Sequence, residues 1–227
     1  MSETKQKKKP QKVPKAKLFS FKYILYDFVK WFGFWQTMIW YRIKKIYDGK
    51  EAKQRIKGGA LISFNHVGFS DPFILLTAFL SRRLHFVFMS ELIKNKFQSW
   101  AYRNIFLSYP IDREKPSFSI VKFLGQYVAN GHVLALFPEG HIKRDGEVDD
   151  FKGGVVLMAY LSGRPIIPVY HEKRKSIWRM TKLVIGKPFN VKEMVGPIPN
   201  QNKINEVAKK LYEYELYLKE ICEGGKK

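Results

Sequence analysis

The chain has 227 residues, of which 45% are hydrophobic, and its formal net charge is +21 at pH 7. A chain of this length and composition can bury one sizeable core, so we predict a single folded domain. The one cysteine, Cys222, excludes an intramolecular disulfide framework and is typical of a reducing compartment, while the strong positive charge indicates an anionic partner.

The first 17 residues carry much of this charge. They contain seven lysines and one acidic residue, Glu3, and they have no apolar run. Such a segment cannot bury enough surface to fold, so the sequence predicts a disordered basic tail over residues 1–17.

Residues 18–50 are rich in aromatic side chains. The longest uncharged run, residues 31–41, is too short to cross a bilayer, which needs about 20 apolar residues. We predict a pair of amphipathic helices, at 19–30 and 34–47, that docks on an anionic membrane surface at its cytoplasmic face. The alternative is ordinary amphipathic packing on the core. Three basic residues would meet the lipid headgroups: Arg42, Lys44 and Lys45.

Apolar runs and helical periods alternate through the predicted catalytic domain, residues 51–227. Strands are predicted at 60–64, 84–89, 107–112, 133–137, 166–170 and 182–186. Helices are predicted at 72–81, 91–102, 116–130, 152–163 and 201–221. This alternation predicts an α/β fold, with a largely parallel sheet flanked by helices.

His66 and Asp71 follow the first of these strands directly. An imidazole at the carboxyl end of a strand, with a carboxylate five residues later, can act as a general base whose tautomer the carboxylate fixes. The alternative is purely structural, because Asp71 before Pro72 also suits the start of a helix.

Three further motifs follow in order, and together the four blocks resemble the lysophosphatidic acid acyltransferase family over roughly residues 58–190. The blocks are Asn65-His66 with Asp71, then Pro110-Ile111-Asp112-Arg113, then Phe137-Pro138-Glu139-Gly140, then Ile166-Ile167-Pro168-Val169. The resemblance implies that His66 is the general base and Asp71 its orienting partner. It implies transfer of a fatty acyl group from a thioester, on coenzyme A or acyl carrier protein, to the hydroxyl of a lysophospholipid.

The resemblance also gives candidate substrate-binding residues. Arg113 would contact the acceptor phosphate, for which a guanidinium is suited, unless it forms a surface ion pair. Pro168 would lie near the acyl chain, and Lys152 is either a contact or a solvated lysine at a helix start. The full set is Asn65, Arg113, Glu139, Gly140, Lys143, Arg144, Lys152 and Pro168.

Two departures from the family pattern affect the acceptor site. Gly68 stands where serine is commonest, and His141-Ile142 replace the usual Thr-Arg. Lys143 and Arg144 follow at once and are candidates for the missing cation.

Other functions remain open at this stage. One is a family member that acylates a glycolipid or an aminolipid. Another is a metal-dependent hydrolase using His66, Asp71, Glu139 and His141, although these lack a metal-ligand spacing. The third is nucleic-acid binding, but the aromatic residues cluster in one apolar segment and no reader module is recognisable. We therefore expect no metal, no cofactor beyond the thioester co-substrate, and no nucleic-acid partner.

Overall fold

Within the described part of the chain, seven strands form one sheet. The computed structural model describes residues 14–17, 20–68, 70–89, 93–105, 107–111, 118–137, 150–173 and 178–224. The strands are β1 (Lys44–Tyr47), β2 (Ala60–Phe64), β3 (Leu84–Met89), β4 (Tyr109–Ile111), β5 (Val133–Leu136), β6 (Ile166–His171) and β7 (Lys182–Ile185). Their order is β1-β7-β6-β2-β5-β3-β4, and among these described strands only the β6–β7 pair is antiparallel. The predicted α/β fold with a largely parallel sheet is confirmed.

Helices cover both faces of this sheet. They are α1 (Ile24–Tyr41), α2 (Asp71–Ala78), α3 (Lys96–Asn104), α4 (Phe118–Ala129), α5 (Asp150–Ser162), α6 (Val191–Val195) and α7 (Gln201–Glu223). Tyr26 of α1 and Leu75 of α2 share one hydrophobic core with Ile62. Helices α4, α5, α6 and α7 build a second core on the opposite face. Burial on both sides explains why the central strands are continuous apolar runs.

Strand β2 is central, and it positions the loop that carries His66. Every residue of β2 is buried, and it pairs in parallel with both β5 and β6. The carboxyl ends of these three strands therefore meet at one edge of the sheet. In α/β folds, ligands bind in the crevice at this edge.

The predicted N-terminal pair of helices is wrong in its architecture. One helix, α1, runs without a break through Gly33, which faces α2: a Cβ there would lie 3.4 Å from the Phe73 ring. The helix ends at Tyr41, since Arg42 adopts a left-handed conformation (φ 46°). No described helix is both long and apolar enough to cross a bilayer.

Residues 44–47, predicted as helical, instead form the edge strand β1. Their backbone pairs in parallel with β7, and lysines on an edge strand discourage pairing with other chains. At the start of the chain, residues 1–13 of the predicted tail lie outside the described residues. Residues 14–17 contact the folded body, where the Ala16 amide donates to the Asn130 carbonyl at 3.0 Å.

Candidate active site

The loop after β2 is folded around the carboxylate of Asp71. Asp71 begins α2, is 1% exposed, and its Oδ2 accepts hydrogen bonds from the amides of Val67 (2.6 Å) and Gly68 (2.9 Å). Pro72 follows at the start of the helix, where its missing N–H costs nothing. The positive end of the α2 dipole also favours an anion at this position. The carboxylate is therefore fixed and ionised by its own loop.

His66 completes this arrangement with its ring. Its Nδ1 lies 2.6 Å from Asp71 Oδ2, so Nδ1 carries the proton that it donates to the carboxylate. The lone pair is then on Nε2, the nitrogen that faces away from Asp71. The ring lies beside Phe137 with centroids 5.2 Å apart, and 45% of the side chain is exposed. His66 can therefore accept a proton from a group that approaches its exposed side.

A second histidine, His171, lies on the other oxygen of the same carboxylate. Its Nε2 is 3.2 Å from Asp71 Oδ1, a contact at ion-pair distance whose angles fall outside those of a hydrogen bond. The ring is 2% exposed and stacks on Phe64, with centroids 4.8 Å apart. The two imidazoles thus lie on the two oxygens of one buried carboxylate.

The balance of these contacts determines the charge of Asp71. Burial raises the pKa of its carboxyl, but the His171 side chain, the Gly68 and Val67 amides, and the His66 side chain together outweigh it. The pKa of Asp71 therefore lies below its usual range. An ionised Asp71 holds His66 in one tautomer and stabilises the imidazolium that forms on proton uptake.

Asn65 connects the two strands that carry the histidines. Its side chain donates to the His171 carbonyl (3.0 Å) and accepts from the His171 amide (2.8 Å). Both ends of the side-chain amide are therefore used to join the loop after β2 to the end of β6. This is a positioning contact for Asn65, and its predicted contact with substrate stays a prediction.

Of the other predicted binding residues, the structure describes Pro168 and the backbone of Lys152. Pro168 lies within β6 opposite Ser63, and alternation along the strand puts its ring on the face that α7 covers. Lys152 is the third residue of α5, but its side chain lies outside the described residues. The remaining predicted contacts also lie outside them: Arg113, Glu139, Gly140, Lys143 and Arg144.

Sequence reasoning missed His171. It lies at the end of a strand that was correctly predicted. Which strand ends are neighbours depends on the order of the strands in the sheet, and a single sequence does not give this order. Among the described residues, no group of three histidine, cysteine, aspartate or glutamate side chains converges to hold a metal ion.

Comparisons with known proteins agree with this fold and identify the family. The family model described as Acyltransferase matches residues 44–172, a span that runs from β1 to the end of β6 and includes His66, Asp71 and His171. A 1-acyl-sn-glycerol-3-phosphate acyltransferase of Bacillus subtilis is 25% identical over 158 residues, which is 67% of this chain and 77% of the relative. The enzyme of the same name from Streptococcus pneumoniae is 33% identical over 102 residues, or 44% of this chain and 36% of its own.

One solved structure shows the same fold. The crystal structure of the 1-acyl-sn-glycerophosphate (LPA) acyltransferase PlsC from Thermotoga maritima superposes with a TM-score of 0.50 at 21% identity. The superposition covers 85% of this chain and 80% of that chain.

Proposed function

Because this chain belongs to the acyltransferase family, we propose that it transfers a fatty acyl group from a thioester to the hydroxyl of a lysophospholipid. The first candidate for the acceptor is 1-acylglycerol-3-phosphate, which would give phosphatidic acid. The observation that carries the proposal is the 2.6 Å contact between His66 and a buried, ionised Asp71 at the carboxyl edge of the sheet. The names of the bacterial relatives support this choice of acceptor.

The geometry suits direct transfer with a histidine base. His66 Nε2 takes the proton of the acceptor hydroxyl as the oxygen attacks the thioester carbonyl, and Asp71 stabilises the imidazolium. The tetrahedral intermediate collapses, the C–S bond breaks, and the thiolate leaves with the proton that His66 returns. The products are an ester and a free thiol. The role of Arg113, Glu139, Gly140, Lys143, Arg144 and Lys152 in binding the acceptor is part of the same proposal.

Helix α1 supports action at a membrane, because its polar side faces inward. The residues of α1 that are buried are Tyr26, Lys30, Gly33 and Thr37. Lys30 Nζ donates to the Arg82 carbonyl (2.6 Å), and Asp27 forms a bidentate ion pair with Arg83, whose shorter contact is 2.6 Å. The outward side is apolar and comprises Ile24, Leu25, Phe28, Trp31, Phe32, Trp35, Met38, Ile39 and Trp40. A helix fixed in this orientation presents lipid-compatible surface to the outside.

The apolar surface continues toward the catalytic loop. Trp178 is 85% exposed, and its carbonyl accepts from Arg42 just beyond α1. An open groove of about 450 Å³ between α1 and α2 is lined by Gly33, Gln36, Thr37, Ile39, Trp40, Tyr41, Ser70 and Phe73. Ser70 precedes Asp71 directly, so the groove begins beside the catalytic pair. We assign an acyl chain to this groove and a peripheral position on an anionic membrane to the protein.

The test is acyl transfer by the purified protein. Palmitoyl-coenzyme A and lysophosphatidic acid in anionic vesicles are the substrates, and phosphatidic acid is the product measured. We expect His66→Ala to lower turnover by roughly 10²- to 10⁴-fold, the usual contribution of a general base. Glu206→Gln is the control, since Glu206 lies on the exposed side of α7 and pairs only locally with Lys210.

Three outcomes separate the parts of the proposal. Turnover by His66→Ala close to that of wild type would overturn the mechanism. Transfer to a glycolipid or aminolipid instead of lysophosphatidic acid would keep the mechanism and change the acceptor. A folded wild-type protein that acylates none of these lipids, from coenzyme A or from acyl carrier protein, would overturn the proposed function.

A further inference from the structure

The second oxygen of Asp71 is the least explained polar atom of the site. Oδ2 accepts from two amides and from His66, whereas Oδ1 is fully buried and has no hydrogen bond among the described residues. The group nearest to satisfying it is the His171 ring, at 3.2 Å. A buried carboxylate oxygen without a hydrogen bond is costly, so the charge of the facing group matters.

The surroundings of His171 indicate that both of its ring nitrogens carry protons. Its Nδ1 lies 3.1 Å from the carbonyl oxygen of Glu172, which can only accept, so Nδ1 must donate. Its Nε2 faces the ionised Asp71, and a lone pair on that nitrogen would be repelled. A ring protonated on both nitrogens donates to the Glu172 carbonyl and places its positive charge 3.2 Å from Asp71 Oδ1; such a ring is an imidazolium.

Neighbouring contacts hold the ring in this position. The ring lies almost parallel to Phe64, at an interplanar angle of 21°, and the backbone of His171 is bound on both sides by the Asn65 amide. The histidine therefore cannot move away from Asp71 without losing these contacts.

Within the described part of the chain, few other ionisable groups face His171. On the side of α2 the described ones are Asp71 and, through it, His66. The Glu172 carboxylate lies on the side of α7, where it influences the pKa values of Tyr170 and Cys222 and accepts from the Lys182 amide. Glu223 lies on that same side, bonded to Tyr170. The charge of His171 is thus balanced mainly by Asp71.

We propose that His171 is a positioning residue of the site: a buried imidazolium that holds Asp71 from the side opposite His66. Its positive charge partly offsets the negative field of Asp71 at His66. Loss of this charge should therefore favour protonation of His66. The kinetic part of this inference rests on the proposed acyl transfer, whereas the charge of His171 does not.

The charge can be measured without substrate. Long-range ¹H–¹⁵N spectra of the histidine rings, assigned with His171→Gln, report the protonation of both nitrogens across a pH series. We expect the doubly protonated form of His171 to persist to higher pH in the wild type than in Asp71→Asn. A singly protonated His171 through the whole series, or the same titration in both proteins, would overturn the proposal.

The kinetic test uses a variant that keeps a donor but lacks the charge. The amide of His171→Gln can still donate toward Asp71, so a folded variant is expected, with circular dichroism as the check. We expect the acid limb of its rate profile to move to higher pH, because a removed neighbouring cation favours protonation of His66. A purely structural role would lower the rate at every pH and leave the limb in place.

The two measurements also separate this inference from the proposed function. If wild type transfers no acyl group but the spectra show the doubly protonated ring, the function is wrong and the His66–Asp71–His171 arrangement stands. If transfer occurs and the limb of His171→Gln coincides with that of wild type, the function stands and the positioning role is wrong.

Discussion

The outward face of α1 allows a quantitative prediction about membrane binding. Trp31 and Trp35 are 57% and 61% exposed, and both lie on the face that we assign to lipid. At about 200 Å² per aromatic side chain, their exposed surface is about 240 Å², worth roughly 6 kcal/mol if it were fully removed from water. Shallow insertion would bury about half of this surface, so the two side chains would contribute about 3 kcal/mol to membrane binding. We therefore expect Trp31→Ser/Trp35→Ser to weaken vesicle partitioning by about 100-fold.

Sedimentation with vesicles of phosphatidylcholine and phosphatidylglycerol measures this partitioning directly. The matched control is Leu216→Ser/Tyr217→Ser, because these side chains of α7 are 43% and 47% exposed but lie on the other face of the sheet. The control should bind like wild type, and transfer to detergent-solubilised substrate should survive in both variants. Equal loss in the two variants, or binding by the tryptophan variant that matches wild type, would refute the assignment of α1 to lipid.

Four smaller changes test individual contacts. Gly68→Ser should retain its fold and turnover in the transfer assay, because a Cβ there meets nothing within 4 Å and it is the Gly68 amide that binds Asp71. In denaturant titrations, Tyr26→Phe should lose about 1–3 kcal/mol of stability, since its buried hydroxyl makes two hydrogen bonds with the β3 backbone (3.2 and 2.9 Å). Burial lowers the pKa of Lys30 from 10.5 to about 8. Between pH 8 and pH 10.5 the unfolded state therefore binds more protons than the folded state. The free energy of unfolding of wild type should rise with pH across this range, relative to that of Lys30→Met. Gly33→Leu should fill the groove and lower the rate of transfer when the acyl chain is long, whereas Gly33→Ala should leave this rate unchanged. The chain length is varied separately in the donor and in the acceptor.

The sequence predicted best those strands that are buried on both faces of the sheet. Residues 60–64 are buried on both faces, so hydrophobicity alone marks them, and the predicted bounds agree with β2. Residues 44–47 form an edge strand with two lysines, and no apolar run distinguishes it from a helix end. The sequence also predicted a break between residues 30 and 34, whereas α1 continues through these residues to Tyr41.

The candidate site was predictable only where its residues are close in sequence. His66 and Asp71 are five residues apart, so one motif contains the pair and its loop. His171 is joined to them by the register of β2 and β6, in which Phe64 is opposite Val169. That register depends on the order of the strands, and a single sequence does not supply this order.

The antiparallel strand β7 explains how α1 and the catalytic loop come to the same edge. Because β7 runs against β6, it starts near the end of β6, where His171 contacts Asp71. The Thr181 amide, just before β7, donates to the Tyr41 carbonyl at the end of α1 (3.1 Å). The apolar helix therefore ends beside the carboxyl edge that carries His66. Under the proposed function, in which acceptor and product both reside in a bilayer, this connection would bring the base to the lipid surface, so that the acceptor hydroxyl would react while its chain stays in an apolar environment.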